Sequence, residues 1–133
     1  FAFFAALHYW YPKIYGKVYN GKIANIGLVI FFIGFNLLYF PMFYLGMVGM
    51  PRRYYDYLPQ FTTPNIISTV GSWIMVTGLL IVIINLLKAR KGSGKEIEDP
   101  WDGKTLEWTI ASPPILENFE EIPVVDHEAY DYK

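Results

Sequence analysis

An all-α membrane protein is the fold class this sequence predicts: the end of one transmembrane helix, two complete transmembrane helices and an extended C-terminal tail. Three observations predict it. Residues 24–50 carry no charge, residues 66–87 repeat that pattern, and the charge of the rest of the chain divides by sign. Residues 1–91 hold eight Lys and Arg against one acid, Asp56, whereas residues 92–133 hold eleven of the twelve acids against Lys95, Lys104 and Lys133. An average over the 133 residues therefore describes neither part.

The first stretch, residues 1–12, opens on "FAFFAAL" and is apolar. It lacks a starting Met, a basic leader and a small-residue cleavage site, so it reads as the end of a helix entered partway along and not as a signal peptide. A turn at residues 13–23 carries Lys13, Lys17 and Lys22. The run 24–50 follows. About 25 residues at ~1.5 Å each make roughly 37 Å of helix, enough to cross a hydrocarbon core of ~30 Å with some tilt. After a loop at 51–65, the run Ile66 to Leu87 makes about 33 Å by the same rise and is a second span. A helix pair inside a large soluble core is the alternative, but uncharged runs of this length exceed the usual soluble helix.

Neither span is built to stand alone in lipid. Gly27 and Gly34 lie seven residues apart on one face, and Ser68, Gly71 and Gly78 form a matching stripe that lets a neighbouring backbone approach. Asn36 and Pro41 sit inside the first span, where an amide and a missing N–H need partners from another helix or a water. Two helices offer little surface for all of this, so the chain is expected to be a piece of a larger bundle.

Basic residues accumulate on the cytoplasmic or matrix side of a membrane, and here seven of them flank the far ends of the two spans, counting Lys88, Arg90, Lys91 and Lys95 with the three in the turn. The 51–65 loop, with only Arg52 and Arg53, is then expected on the outer side, and the tail from residue 88 on the inner side. Topology leaves that arginine pair unexplained. A guanidinium stays charged and engages carboxylates or phosphates bidentately, so the candidates are a lipid phosphate, a protein carboxylate or a cofactor carboxylate. Snorkelling to the headgroups, or pairing with Asp56, is the plainer alternative. Gly46, Gly49 and Pro51 make the approach to the pair compact and stiff.

Other chemistry is thin. No cysteine is present, which excludes disulfides and thiolate metal sites, and the two histidines, His8 and His127, are too far apart in sequence to form a helical ligand pair. No catalytic residue and no metal ligand is expected from this chain. His8 in "LHYWYP" suits an aromatic belt at the membrane interface, and His127 belongs to the acidic tail. That tail, residues 88–133, contains Pro100, Pro113, Pro114 and Pro123, sustains no helical or strand period, and is expected as extended coil. Trp108, Ile110, Ile115 and Phe119 would sit poorly in water, which favours a segment laid along its own polypeptide or another. The acid run "NFEEIP" has no ligand spacing, and no nucleic-acid partner is expected.

At the arginines the sequence resembles a known family, the catalytic subunit I of haem-copper terminal oxidases. "LHYWYPKIYG" (Leu7 to Gly16) resembles the end of that subunit's tenth helix. "FFIGFNLLYFPMFYLGMVGMPRRYYDY" resembles the eleventh helix with its loop, "ISTVGSWIM" the start of the twelfth, and "TLEWTIASPPILENF" (Thr105 to Phe119) the C-terminal segment. Taken in order and at these separations they make a specific match over nearly the whole chain. The resemblance implies a twelve-helix-type bundle in the bacterial inner membrane or the mitochondrial inner membrane. It also implies reduction of O2 to water with electrons from cytochrome c or a quinol, two haems of a-type and copper in the assembled enzyme, and proton pumping. The partners it implies are the rest of subunit I, other oxidase subunits and membrane lipids. In that family the paired arginines bind the haem propionates, so Arg52 and Arg53 are the expected cofactor-binding residues, while the axial histidines, the copper ligands and the proton-channel acids lie upstream of the portion represented here. Asp56 is expected to brace the loop. Many members carry Gln-His where this chain has Met42-Phe43, which points away from the common mitochondrial type and toward a bacterial branch. Two other classes remain: a small non-catalytic membrane subunit that packs a respiratory complex through its Gly/Ser stripes, and a transporter, although the spans lack the ionisable residues of a translocation path.

Overall fold

The computed structural model describes residues 1–53, 55–93, 95–96, 99–119, 121–125 and 128, and it divides into two compact units: residues 21–85, and residues 1–20 together with 86–133. His127 lies outside the described residues.

Two long helices make the first unit. They are α2 (Gly21–Met47) and α3 (Thr62–Lys88), each of 27 residues, or about 40 Å at the helical rise. Both are long and apolar enough to cross a membrane. Phe40, Phe43 and Trp73 stand exposed on them, and helices apolar all round belong in lipid or inside a bundle. A short 3-10 turn, Pro59–Phe61, leads into α3, which takes Pro64 into its first turn. Proline is tolerated there because that N–H has no helical partner to lose.

The glycines decide how the helices meet. A Cβ on Gly71 would lie 2.5 Å from the Leu37 carbonyl carbon, and one on Gly27 would lie 2.8 Å from a Val82 methyl. Gly34 faces the Met75 amide and Gly78 the Phe31 amide, with no room for a methyl at either. The two small-residue stripes therefore face each other, backbone against backbone. Ser68, 7% exposed, adds an interhelical bond by donating its hydroxyl to the Leu38 carbonyl at 2.8 Å. Ser68→Ala is expected to cost about 0.5–1 kcal/mol, read as a small fall in the denaturation midpoint of the purified complex. An unchanged midpoint would show that the carbonyl needs no such donor.

The polar residues inside the spans look mostly to their own helix. Asn36 donates its amide to the Phe32 carbonyl at 2.7 Å, and Thr69 and Thr77 donate to the carbonyls of Asn65 and Trp73. The sequence pointed to another helix or a water as the partner of Asn36. A side chain one turn away from a carbonyl can satisfy it locally, and does so here.

The second unit begins with α1 (Ala2–Tyr15), which carries Pro12 fully buried near its end and stops at Gly16, φ 63°. Gly16 donates its N–H to the Pro12 carbonyl at 2.7 Å, and a side chain there would meet the Ser112 carbonyl. Two-residue strands follow: β1 (Lys17–Val18) pairs antiparallel with β2 (Lys95–Glu96), Lys17 opposite Glu96 and Val18 opposite Lys95. Tyr11 donates its hydroxyl to the Leu86 carbonyl.

Among the described residues the tail departs from the expected extended coil in three places: a π-helical turn at Ala89–Ser93, strand β2 and a helical turn further on. Leu106–Thr109 forms a single helical turn, α4, closed by the Trp108 amide on the Thr105 carbonyl at 2.9 Å. The turn swings Trp108 inward, where it is 4% exposed. Its indole N–H donates to the Tyr9 hydroxyl at 2.7 Å, and the two rings meet edge to face. Trp101 also stacks against Tyr9, and its indole N–H donates to the Tyr9 carbonyl at 3.0 Å. Asp99 accepts the amides of Trp101 and Gly103, holding the approach to α4 in shape. Of the other apolar residues in this stretch, Ile110 and Phe119 are half-buried, while Ile115 is exposed.

Candidate functional site: an arginine loop at the end of α2

The chain reaches the arginines through a tight helix ending. Met50 donates its N–H to the Leu45 carbonyl at 2.9 Å and Gly49 to the Gly46 carbonyl at 3.3 Å, with Gly49 at φ 82°. This crossed pair of bonds closes a helix when the residue past its end turns left-handed, a conformation glycine adopts without strain. Pro51 then prevents resumption of the helix. Arg52 and Arg53 come next, and Arg53 itself sits at φ 61°, which few side-chain-bearing residues adopt.

Both arginines line a cleft of about 760 Å³ whose walls include Tyr39, Met42, Phe43, Met50 and Asn65. Asn65 is fixed by donating to the Phe61 carbonyl at 2.8 Å, and it also contacts the Met50 sulfur at 3.6 Å. Among the described residues neither guanidinium has an ion pair or a hydrogen bond. Asp56 does not supply one: its Oδ1 accepts the Tyr57 N–H at 2.8 Å, steadying the loop backbone. The site thus joins two exposed cations to a largely apolar wall. That chemistry fits an anion with an apolar body; among the described residues no group of three or more His, Cys, Asp or Glu gathers to hold a metal. Tyr55 is fully exposed.

His8 lies elsewhere, in the unit of residues 1–20 and 86–133. Its Nδ1 is 2.7 Å from the Phe4 carbonyl and its ring meets Tyr19 edge-on at 4.7 Å. Burial pushes the Tyr19 phenol above its ordinary pKa, so it remains neutral at physiological pH.

Sequence reasoning missed one anchoring residue. Lys13, counted only for its charge, is 8% exposed, donates to the Ile110 carbonyl at 2.8 Å and lies 5.2 Å from the centre of the Trp108 ring. Its partners stand 95 and more positions away, beyond any local pattern. The only signal available was Trp108, an aromatic that needed cover.

Paired apolar helices of membrane length, locked by glycines and joined by a cationic loop, define an integral membrane protein of the helical-bundle class. The family described as Cytochrome C and Quinol oxidase polypeptide I matches residues 1–74, more than half of the chain, and the chain belongs to that family. Among its relatives, cytochrome c oxidase subunit 1 of Bacillus sp. (strain PS3) is 43% identical over 128 residues, which cover 94% of this chain and 21% of the relative. Quinol oxidase subunit 1 of Bacillus subtilis (strain 168) is 44% identical over 131 residues, 94% of this chain and 20% of the relative. Cytochrome c oxidase subunit 1 of Thermostichus vulcanus is 37% identical over 132 residues, 99% and 24% respectively. The chain spans about a fifth to a quarter of the length of these curated relatives.

Proposed function

We propose that this chain forms part of the catalytic polypeptide of a terminal oxidase, one that reduces O2 to water in a membrane complex with other oxidase subunits, and that Arg52 and Arg53 hold haem propionates there. The observation that carries this reading is the cleft at the end of α2, where two guanidinium groups without an acid partner among the described residues stand beside an apolar wall. Haem and copper, when bound in the assembled enzyme, supply the redox chemistry. The residues of this chain hold charge. Each guanidinium offers a planar fork to a carboxylate, and in a poorly hydrated cleft that pairing keeps the carboxylate ionised and lowers its proton affinity. The pair thereby helps to set both the haem potential and the protonation of the propionate region.

Charge counting supports the sidedness. With seven Lys and Arg at the far ends of the spans, the arginine loop belongs on the outer face and the tail on the inner face. Relatives carry both electron-donor names, cytochrome c and quinol, and either donor serves this reading.

Replacing both arginines tests it. Arg52→Ala/Arg53→Ala in the assembled complex is expected to shift the haem absorption bands and midpoint potentials and to lower turnover roughly tenfold or more, since charge-assisted bonds contribute about 1.5–3 kcal/mol each. Arg52→Lys/Arg53→Lys keeps the charge without the fork and should fall between the two. Unchanged spectra, potentials and turnover in the alanine variant would sink the assignment and favour a packing subunit whose arginines lie on lipid phosphate.

A further inference from the structure

A second set of cations gathers at the other end of α3. Lys88 ends that helix, and Ala89–Ser93 continue as one wider π-helical turn that carries Arg90 and Lys91 and contains Gly92 at φ 114°. Strand β1, with Lys17, lies against this turn. Arg90 and Lys91 are exposed, and the Arg90 guanidinium rests 5.2 Å from the centre of the Tyr15 ring. Three described acids of the same unit are engaged elsewhere: Asp99 by the amides of Trp101 and Gly103, Asp102 by Lys104 at 3.2 Å, and Glu107 by Thr105. In the strand register the backbone position of Glu96 lies opposite Lys17, and the sequence sets the three cations Lys17, Arg90 and Lys91 against that one acid position.

We infer that Lys17, Arg90 and Lys91 form a binding site for the phosphodiester headgroup of an anionic phospholipid, with Lys88 at its edge. Position selects a lipid over a free phosphate. The cations follow directly on a helix of membrane length, which sets them at headgroup depth. Leu87 and Ile14, 50% and 51% exposed, supply apolar surface for the upper acyl carbons. Tyr15 is the kind of aromatic that settles at this interface and, by stacking on Arg90, limits the directions its fork can take. Basic clusters at a helix end attract anionic lipids through just this combination of charge and depth. The site is independent of the arginine loop and of the haem reading.

Photo-crosslinking of the intact complex in lipid nanodiscs tests it, using diazirine-bearing phosphatidylglycerol as probe and the matching phosphatidylcholine as control. Crosslinks from phosphatidylglycerol alone, mapping to peptides that contain Ile14–Lys17 or Leu87–Lys91, are expected. Arg90→Gln/Lys91→Gln should reduce them roughly tenfold or more, and Arg90→Lys/Lys91→Arg should restore most of the signal. Equal labelling by phosphatidylcholine, labelling confined to other peptides, or an undiminished signal in the glutamine variant would overturn the inference. Loss of labelling on adding excess inorganic phosphate at constant ionic strength would also overturn it, since the site would then read phosphate and not lipid. Labelling that appears only after removal of a neighbouring acidic subunit would reassign the patch to that protein.

Discussion

Gly34→Leu is expected to prevent the chain from accumulating in its membrane complex. A Cβ at this position runs into the backbone amide of Met75, and Ile74 and Met75 both approach through main-chain atoms, which cannot rotate aside. Ordinary overpacking of a core costs about 1–3 kcal/mol because side chains shift. Here only separation of the helices makes room, and that would also part Gly71 from Leu37, Gly78 from Phe31 and Ser68 from its acceptor on Leu38. The expected loss therefore exceeds the ordinary range. Gly34→Ala should show the same defect in weaker form, and Gly21→Ala, where nothing lies within 4 Å, should show little. Quantifying complex extracted from membranes, together with its thermal midpoint, checks the series. Wild-type amounts and midpoint for the leucine variant would mean the stripes do not meet as described.

Trp108→Ala is expected to release the tail from α1. The ring is nearly fully buried, bonded to the Tyr9 hydroxyl, packed beneath Gly103 and capped by Lys13. Large aromatic-to-alanine changes in packed sites cost about 3–5 kcal/mol. Lys13→Met should do less, about 1–3 kcal/mol, because it strips a donor from part-buried carbonyls while keeping the stem that covers the ring. Since each 1.4 kcal/mol is about tenfold in an opening equilibrium, hydrogen exchange at the Gly103 and Trp108 amides should quicken roughly a hundredfold or more in the tryptophan variant. Proteolytic nicking between residues 99 and 112 should rise with it. Protection equal to wild type in both variants would show that the tail is held by something other than this cluster.

These two cases mark what could and could not be read from the chain alone. The spans were legible because lipid admits only helices and closed barrels, and uncharged runs of this length with no period-2 alternation fit helices. That each span meets some neighbouring backbone was legible because Gly27, Gly34, Gly71 and Gly78 repeat at helical spacing in segments otherwise filled with bulky residues; that they meet each other was not. The arginine loop stood out for the same reason, as charge between apolar runs. Helix ends were less clear. The start of α3 hides behind Pro64, a residue that can open a helix as readily as precede one, and the end of α2 is set by crossed bonds around Gly49. The Lys13–Trp108 anchor was illegible, since no local period encodes a partner nearly the whole chain away. Asn36 pointed to another helix or a water because sequence shows the need for a partner but not that a carbonyl one turn back can accept from it.

The buried Lys13 carries a consequence for how the chain matures. During insertion an ammonium at this position is counted among the positive charges that retain a segment on one side of the bilayer. Residues 99–112 are made after Lys13 and after both spans, so the cation does its topological work before they exist and is then withdrawn from solvent when they close over it. One side chain thus serves two moments in the life of the polypeptide, and a neutral replacement would disturb orientation first and tail docking only afterwards.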